Sequence, residues 1–160
     1  MKHSPLQVIR YIVPEVSCAV NAVFDPKKPC EPGIGQFAIN AVLFQQPAPE
    51  NSPHFWSIEM TISQKPKEGV NFPYKFDLTL IGFFACNNGF ATPADEEQFV
   101  RVNGSSMLYG AAREMIRSLT CHGPFGELFI PSISFYDKNS KPESEKAAPS
   151  APAPEVPKPN

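Results

Sequence analysis

The sequence has few charged residues and no excess of basic ones. Only 19% of its 160 residues are Asp, Glu, Lys or Arg, against roughly a quarter in an ordinary soluble domain. The 14 basic and 16 acidic residues leave a formal net charge of -2. A protein that binds nucleic acid needs a basic stripe to neutralise phosphates, so we expect no nucleic-acid partner.

Long apolar segments are also missing. The longest apolar run, residues 78–86, is interrupted by two non-apolar residues and is far shorter than the ~20 residues that cross a bilayer. Residues 1–10 are broken by Pro5, Gln7 and Arg10, where a secretory signal would have an apolar core. We therefore expect a cytoplasmic protein without membrane insertion.

The few cysteines show no metal-binding spacing. Cys18, Cys30, Cys86 and Cys121 are 12, 56 and 35 residues apart. A zinc site would require a C-x-x-C pair or a histidine at ligand spacing, and neither is present. We expect reduced thiols that are mostly packed in the interior, no metal and no other cofactor.

Proline, in contrast, is abundant and unevenly distributed. Six of the 19 prolines lie in the last 19 residues. Residues 137–160 contain no aromatic side chain and mix lysine and glutamate with proline and alanine, a composition typical of a disordered, polyproline-leaning segment. We therefore predict one folded domain, residues 1–136, and a disordered tail, residues 137–160.

Four segments predict β-strands. Residues 6–20 form the least regular one, and Pro14 favours an edge position or a bend there. Residues 36–44, 55–62 and 74–81 alternate apolar and polar residues with the two-residue period of a half-buried strand. Their apolar positions are Phe37, Ile39, Ala41 and Leu43; Trp56, Ile58, Met60 and Ile62; and Tyr74, Phe76, Leu78 and Leu80. The turn-rich connections favour an antiparallel meander.

Two helices and an extended segment are predicted after the strands. Thr92 caps the first helix, with Pro93 at its first position and Asp95 placed to bond back to the cap amide. Residues 103–106, Asn-Gly-Ser-Ser, interrupt it, and a second helix ends where Gly123 adopts the left-handed conformation. The apolar stripe of the second helix is Leu108, Ala111, Ala112, Met115, Ile116 and Leu119.

Residues 125–136 are apolar but contain Pro131. Because a proline weakens a central strand, we predict an extended crossover for this segment.

No catalytic constellation stands out in the sequence. Residues 33–35, Gly-Ile-Gly, lack the third glycine of a phosphate loop, and Ser105 and Ser106 lie outside a G-x-S-x-G elbow. The adjacent Arg113 and Glu114 are better explained as a structural pair or a subunit junction than as acid–base machinery. The sequence therefore indicates a protein that is not an enzyme.

The second predicted helix and the crossover carry a specific pattern over residues 103–135. Its positions, in register without a gap, are Leu108, Ala112, Arg113, Glu114, Ile116, Gly123, Phe125, Leu128, Pro131 and Phe135. This pattern resembles the SecB family of export chaperones, in which a long helix continues into an extended crossover. The four strands, residues 81–84 after the last strand, and the first predicted helix, which carries Glu96 and Glu97 in its first turn, extend the resemblance to about residues 6–136.

The resemblance implies an α+β fold, with a four-stranded antiparallel sheet packed on a long helix. Members of the family assemble as dimers of dimers, hold unfolded precursor proteins in apolar grooves without ATP, and pass them to the SecA ATPase. We therefore predict a homotetrameric chaperone for protein export. The expected client-binding residues are Phe37, Phe44, Trp56, Phe125, Leu128, Phe129 and Phe135. The expected oligomer interface is Gly110, Ala111, Ala112, Met115 and Ile116, and the SecA-contact candidates are Glu15 and Asp77.

Three departures from the family pattern support alternatives. The proline- and alanine-rich tail stands where the family has a second helix that covers the groove. Ala19 and Lys75 replace an acid and a leucine that the family uses to contact SecA. The motif at the entry to the long helix is one residue longer than in the family. A chaperone that holds one dedicated partner, such as an antitoxin or a mobile-element protein, without SecA is the main alternative. A small hotdog-like thioesterase, in which Glu114 is the residue to test, is a remote one.

Overall fold

The computed structural model describes residues 3–30, 37–47, 53–66, 70–87 and 89–136. In chain order these form the strands β1 (Leu6–Val20), β2 (Ala38–Gln46), β3 (His54–Gln64) and β4 (Tyr74–Cys86), followed by the helix α1 (Pro93–Thr120). The strands make one antiparallel sheet, so the predicted α+β fold is confirmed. The predicted tail, residues 137–160, lies outside the described residues.

The order of the strands differs from the predicted meander at one connection. The sheet order is β1-β4-β3-β2, so β2, β3 and β4 form a meander but β1 pairs with β4. β4 is longer than predicted because its alternation continues through residues 82–86, and its extra length pairs with the start of β1, where Leu6 lies opposite Cys86. The connection between β1 and β2 therefore joins opposite edges of the sheet.

Pro14 lies in an edge strand, as predicted. The register between β1 and β4 shifts between Ile12 and Glu15, and Pro14 lies inside this irregularity. Because proline has no backbone N–H to donate, it is tolerated at an edge or a bulge. The prediction for this strand is confirmed.

The predicted alternation of β3 and β4 is also confirmed. One face of the sheet packs against α1 and forms most of the hydrophobic core. All the predicted apolar positions of this face are buried, namely Trp56, Ile58, Met60 and Ile62 in β3 and Tyr74, Phe76, Leu78 and Leu80 in β4, and Phe84 and Cys86 in β4 are buried as well. In β2, the edge strand, Ile39, Ala41 and Leu43 share one face and are half-buried.

The predicted break between two helices is wrong, because α1 runs through residues 103–106 without interruption. Asn103 and Ser106 donate side-chain hydrogen bonds to the carbonyls of Phe99 and Val102, four residues back. Such side chains are thereby accommodated inside a helix instead of capping a new one. Gly104 serves the packing of helix on sheet, since a Cβ there would lie 2.6 Å from Cδ1 of Ile58.

The start of α1 matches its prediction. The Thr92 hydroxyl accepts from the Asp95 N–H at 3.1 Å, as an N-cap should. The Asp95 carboxylate accepts from that same hydroxyl at 2.8 Å rather than from the cap amide.

The predicted left-handed Gly123 is wrong. α1 ends with Cys121 in the right-handed helical region, and the positive φ of 76° belongs to Gly126. Position 123 requires glycine for space, because a Cβ would lie 2.5 Å from Oη of Tyr74.

The crossover, residues 125–136, is extended without strand pairing among the described residues, as predicted. Three hydrogen bonds to its backbone hold it on α1. Tyr109 Oη donates to the Pro131 carbonyl at 2.7 Å, Arg113 Nε donates to the Ile130 carbonyl at 3.0 Å, and the Leu128 N–H donates to Thr120 Oγ1 at 2.8 Å. Leu128 and Ile130 are buried, so the alternate side chains of this segment are directed outward.

Within the described ranges, no helix is both long enough and apolar enough to cross a membrane.

Candidate functional site

A groove of about 560 Å³ lies between the connection that follows β1 and the segment that follows α1. We call it the aromatic groove. It is lined by Phe24, Pro26, Lys28, Cys30, Pro73, Tyr74, Pro124, Phe125, Glu127 and Leu128. Six of these ten lining residues are aromatic or proline.

One wall of the aromatic groove is fixed by hydrogen bonds across the chain. Asn71 Nδ2 donates to the Asp25 carbonyl, while Asn71 Oδ1 accepts from the Asp25 N–H, both at 2.9 Å. Asn21 Nδ2 donates to the Phe72 carbonyl at 2.8 Å. These bonds hold the connection after β1 against the entry to β4, so Phe24 is presented by an ordered loop.

The opposite wall is organised by Tyr74. Its hydroxyl donates to the Gly126 carbonyl at 2.8 Å and accepts from the Phe125 N–H at 3.3 Å. The ring of Phe125 packs edge-on against Phe24, with centroids 4.7 Å apart, and against Tyr74, with centroids 6.2 Å apart. The three rings form one aromatic cluster that joins both walls.

Few charges border the groove. Lys28 lies on one side, and Glu127 lies on the other, where its carboxylate accepts from Arg117 Nη1 at 2.8 Å. A site built from apolar rings with charges at its rim favours apolar side chains of a bound chain.

An exposed strip continues from the groove along the crossover, with Phe129 and Tyr136 as its aromatic residues and the exposed Ser132 and Ser134 between them. The exposed fraction is 38% for Phe125 and 63% for both Phe129 and Tyr136. Large aromatic side chains exposed together mark surfaces that interact with other molecules. The groove and this strip together are the candidate functional site.

The seven predicted client-binding residues do not form a single surface. Phe125 and Leu128 line the aromatic groove and Phe129 follows in the exposed strip. Phe135 is half-buried against the ring of Tyr109, at 5.8 Å. These four residues all belong to the segment that follows α1.

The other three predicted residues lie elsewhere. Phe44 is exposed on the sheet face opposite α1, and Phe37 is half-buried between Phe72 and Phe76. Trp56 is only 5% exposed and belongs to the core, so its ring is not accessible to a client in this structure. The alternation of β3 places Trp56 on the core face. This pattern is a better guide to its burial than its large aromatic ring is to client binding.

A polar cluster that the sequence analysis missed surrounds Trp56. The buried Glu96 carboxylate accepts from Trp56 Nε1 at 2.9 Å, and its other oxygen lies 2.7 Å from His54 Nδ1. A cavity of about 170 Å³ borders His54 and Glu96. Burial, and then the Glu96 charge, raise the pKa of the neighbouring Cys86 thiol to about 11. The sequence signal for Glu96 was only its place in the first turn of the helix.

The predicted interface residues divide between two faces of α1. Ala112 and Ile116 are fully buried against the sheet of their own chain, so they are not available for a subunit contact. Gly110 is exposed, and Ala111 and Met115 are half-buried. Met107 and Leu119 are also exposed on the helix and extend this second group.

Glu15 and Asp77 lie close together on the sheet face opposite α1. Glu15 pairs with Thr79, and Asp77 pairs with Ser17, in the ladder between β1 and β4. Asp77 also forms an ion pair with Lys65 at 3.2 Å, which reduces the negative charge presented at this position.

Arg113 and Glu114, which are adjacent in the sequence, each make contacts that stabilise the fold. Glu114 is exposed and pairs with Arg117, whose hydrogen bond lowers the pKa of the Glu114 carboxyl, while Arg113 bonds the crossover. They therefore do not form the expected pair with each other. The described part of the chain contains no group of three or more His, Cys, Asp or Glu side chains that could hold a metal ion.

The expectation that most cysteines are packed inside is wrong. Cys18, Cys30 and Cys121 lie at exposed positions, and of the four only Cys86 is buried.

Comparison with known proteins supports the architecture. A SecB-like chaperone of Mycobacterium tuberculosis, solved in complex with a ChAD peptide from the HigA1 antitoxin, is similar with a TM-score of 0.52 at 13% sequence identity, covering 81% of this chain and 91% of that chain. A Streptococcus agalactiae protein of unknown function is similar with a TM-score of 0.56 at 7% identity, covering 79% and 97%. No family model matches the sequence, and no curated protein matches it significantly. At these identities the likeness shows the fold, which is SecB-like.

Proposed function

We propose that this protein is an ATP-independent chaperone that binds unfolded polypeptides in the aromatic groove and along the exposed strip of the crossover. The observation that carries the proposal is the joining of Phe24, Tyr74 and Phe125 into a cluster that opens on exposed Phe129. The SecB-like fold, and the antitoxin peptide held by one similar structure, support the same assignment.

The physical argument rests on the apolar surface. Unfolded chains expose apolar side chains, and removing these from water is the main source of affinity. Each Å² of apolar surface buried contributes about 25 cal/mol. Burying a few client side chains on Phe125 and Phe129 therefore gives a favourable binding free energy that still allows the client to dissociate. Binding and release of this kind need no nucleotide.

The proposed site is fixed on a rigid frame. Thr120 Oγ1 accepts from the Leu128 N–H and donates to the Ile116 carbonyl, both at 2.8 Å. The start of the crossover is thus bonded to the last turn of α1. A surface held in this way loses little conformational entropy when a client binds.

We propose a homo-oligomer, a dimer of dimers in the SecB manner, that assembles through the outer face of α1. Met107, Ala111, Met115 and Leu119 follow one another at four-residue spacing and are half-buried or exposed, so they share one apolar stripe. Gly110 lies beside this stripe. The proposed interface is this outer stripe without Ala112 and Ile116.

The solution mass tests this interface. A charge in the stripe, Ala111→Glu, is expected to dissociate the oligomer in sedimentation equilibrium. An unchanged mass would contradict the location of the interface.

A SecB-like chaperone in the cytoplasm is compatible with two kinds of client, which give two assignments. In the first, the protein keeps precursors competent for export and contacts SecA through Glu15 and Asp77. In the second, it holds one dedicated partner, such as an antitoxin, without SecA. The ion pair between Asp77 and Lys65 and the Lys75 next to it favour the dedicated partner, because they weaken an acidic docking face.

The aggregation assay tests the shared part of both assignments. A chemically denatured client, diluted with one equivalent of the oligomer and no nucleotide, is expected to scatter much less light than alone. Unchanged scattering at several equivalents would reject the chaperone proposal.

Calorimetry with purified SecA then separates the two assignments. Binding that is lost in Asp77→Lys supports export. No binding, together with one dominant protein that copurifies with the chaperone, supports a dedicated partner.

A further inference from the structure

The chain contains its own candidate ligand for the aromatic groove. Residues 149–152 and 154–157 read Pro-Ser-Ala-Pro and Pro-Glu-Val-Pro, two P-x-x-P motifs in the segment that lies outside the described residues. We propose that residues 147–159 bind in the aromatic groove of the same chain and compete there with clients. This inference rests on the proposed function of that groove.

The chemistry of the groove fits proline. P-x-x-P segments favour the polyproline II helix, which has three residues per turn and therefore aligns prolines three positions apart on one side. Grooves lined by aromatic side chains bind such segments, since the ligand loses little conformational entropy. Phe24, Tyr74 and Phe125 supply the rings, and Pro26 and Pro124 extend the apolar walls.

The charges on the two sides are complementary. Lys28 and Glu127 border the groove, and their side chains are 71% and 43% exposed. The segment carries Glu155 and Lys158, which are three residues apart and thus lie on one side of a polyproline II helix. Lys28 already lies 4.0 Å from the Asp25 carboxylate, and Glu127 accepts from Arg117 at 2.8 Å. Glu155 and Lys158 would therefore share these exposed ion pairs in a single orientation.

The length of the tail suffices for this contact. Twelve residues separate Tyr136, where the described structure ends, from Pro149, and they span roughly 40 Å when extended. A compact domain of this size has a diameter of roughly 37 Å. Phe125 in the groove is eleven residues before Tyr136, so at most roughly 40 Å separates them, and the tail is long enough to run back along the crossover to the groove.

Tethering also lowers the affinity that the contact requires. A linker of this length gives an effective concentration on the order of 1 mM. A groove that binds the free segment with a Kd of about 0.2 mM would then be occupied most of the time. The affinity for a client would be reduced about sixfold. A client that binds tightly would still displace the tail from the groove.

Photocrosslinking in the full-length chain tests where the segment binds. With p-benzoylphenylalanine in place of Val156, crosslinks are expected at residues 24–30 or 124–128. The matched control adds Pro149→Ala, Pro152→Ala, Pro154→Ala and Pro157→Ala, and its crosslink yield is expected to fall about fivefold, because the rigid proline ligand is lost. Crosslinks that avoid the groove, or an unchanged yield in the control, would overturn the proposal.

Mixing chains labelled with ¹³C and ¹⁵N with unlabelled chains identifies which tail is bound. Crosslinks within one chain are expected. Crosslinks only between labelled and unlabelled chains would overturn binding to the same chain.

Client affinity separates this inference from the proposed function. The four-proline variant is expected to bind a permanently unfolded client about sixfold more tightly than the natural chain. Equal affinity of the two proteins would reject the competition while leaving the chaperone function intact. Absence of client binding by both would reject the function, and the crosslinks would still decide whether the segment occupies the groove.

Discussion

The Glu96 carboxylate accepts a hydrogen bond from the Trp56 indole, with Oε1 2.9 Å from Nε1. Glu96 lies in the first turns of α1 and Trp56 near the start of β3, and both residues are 5% exposed. The second carboxylate oxygen interacts with His54 Nδ1. This contact ties the beginning of the helix to the sheet.

Replacing Glu96 with alanine is expected to lower the free energy of unfolding by about 2 kcal/mol, because the buried indole N–H loses its acceptor. Urea unfolding followed by the fluorescence of Trp56, the single tryptophan, measures the change. Glu97→Ala is the matched control. Glu97 forms an exposed ion pair with Arg101, worth less than about 1 kcal/mol. Equal effects of the two substitutions would contradict a structural role for Glu96.

The Cys86 thiol is expected to be the least reactive cysteine. Burial and the Glu96 charge raise its pKa to about 11, so almost no thiolate, the reactive form, is present at pH 8. Exposed Cys121 is therefore expected to react with iodoacetamide at least about tenfold faster, as followed by peptide mass spectrometry.

The rate at which Cys86 is alkylated is expected to increase with pH. Its alkylation rate should rise steeply toward pH 11 as the thiol deprotonates, and Glu96→Gln should move that rise to lower pH by removing the charge. Alkylation of Cys86 as fast as that of Cys121 at pH 8 in the folded protein would show that this environment is described wrongly.

Two glycines are expected to respond in opposite directions to alanine. Gly123→Ala places a Cβ 2.5 Å from Tyr74 Oη and 3.1 Å from the Thr120 carbonyl oxygen, which should cost about 1–3 kcal/mol through overpacking. Gly110→Ala meets no atom within 4 Å, and alanine stabilises an exposed helix position by up to about 1 kcal/mol. Thermal unfolding compares both variants with the natural chain. A stabilising Gly123→Ala would disprove the close packing at Tyr74.

The sequence predicts much of the sheet because alternation is a local signal. The core positions of β3 and β4 and the edge location of Pro14 follow from residues a few positions apart. The pairing of β1 with β4 does not, since it depends on partners that lie 54 (Val20 and Tyr74) to 80 (Leu6 and Cys86) residues away. The break at residues 103–106 was predicted from turn-forming residues, but Gly104 is required by contact with Ile58 in another element.

The candidate site divides in the same way. Phe125 and Phe129 were identified because the crossover is apolar and stiffened by proline. Phe24 was missed, because its place in the groove depends on hydrogen bonds between Asn71 and Asp25. Trp56 is a predicted client-binding residue although the alternation of β3 places it on the core face. Its hydrogen bond to Glu96, 40 residues away, cannot be read from a local pattern.

The most direct test of the central claim is the affinity for an unfolded client. The Kd of a fluorescein-labelled, reduced and carboxymethylated polypeptide is measured by anisotropy for the natural chain and for the double variant Phe125→Ser, Phe129→Ser. Phe129→Ser alone serves as a second variant, because Phe129 is 63% exposed and its loss leaves the fold intact. Val23→Ser, at a position that is 82% exposed, is the control.

Burying a Phe side chain contributes about 1.5–3 kcal/mol, so the double variant is expected to raise the Kd at least about tenfold. Phe129→Ser alone should raise it by about threefold or more, and Val23→Ser should leave it unchanged. Kd values for both Phe variants that equal the value of the natural chain would contradict client binding at the aromatic groove and crossover.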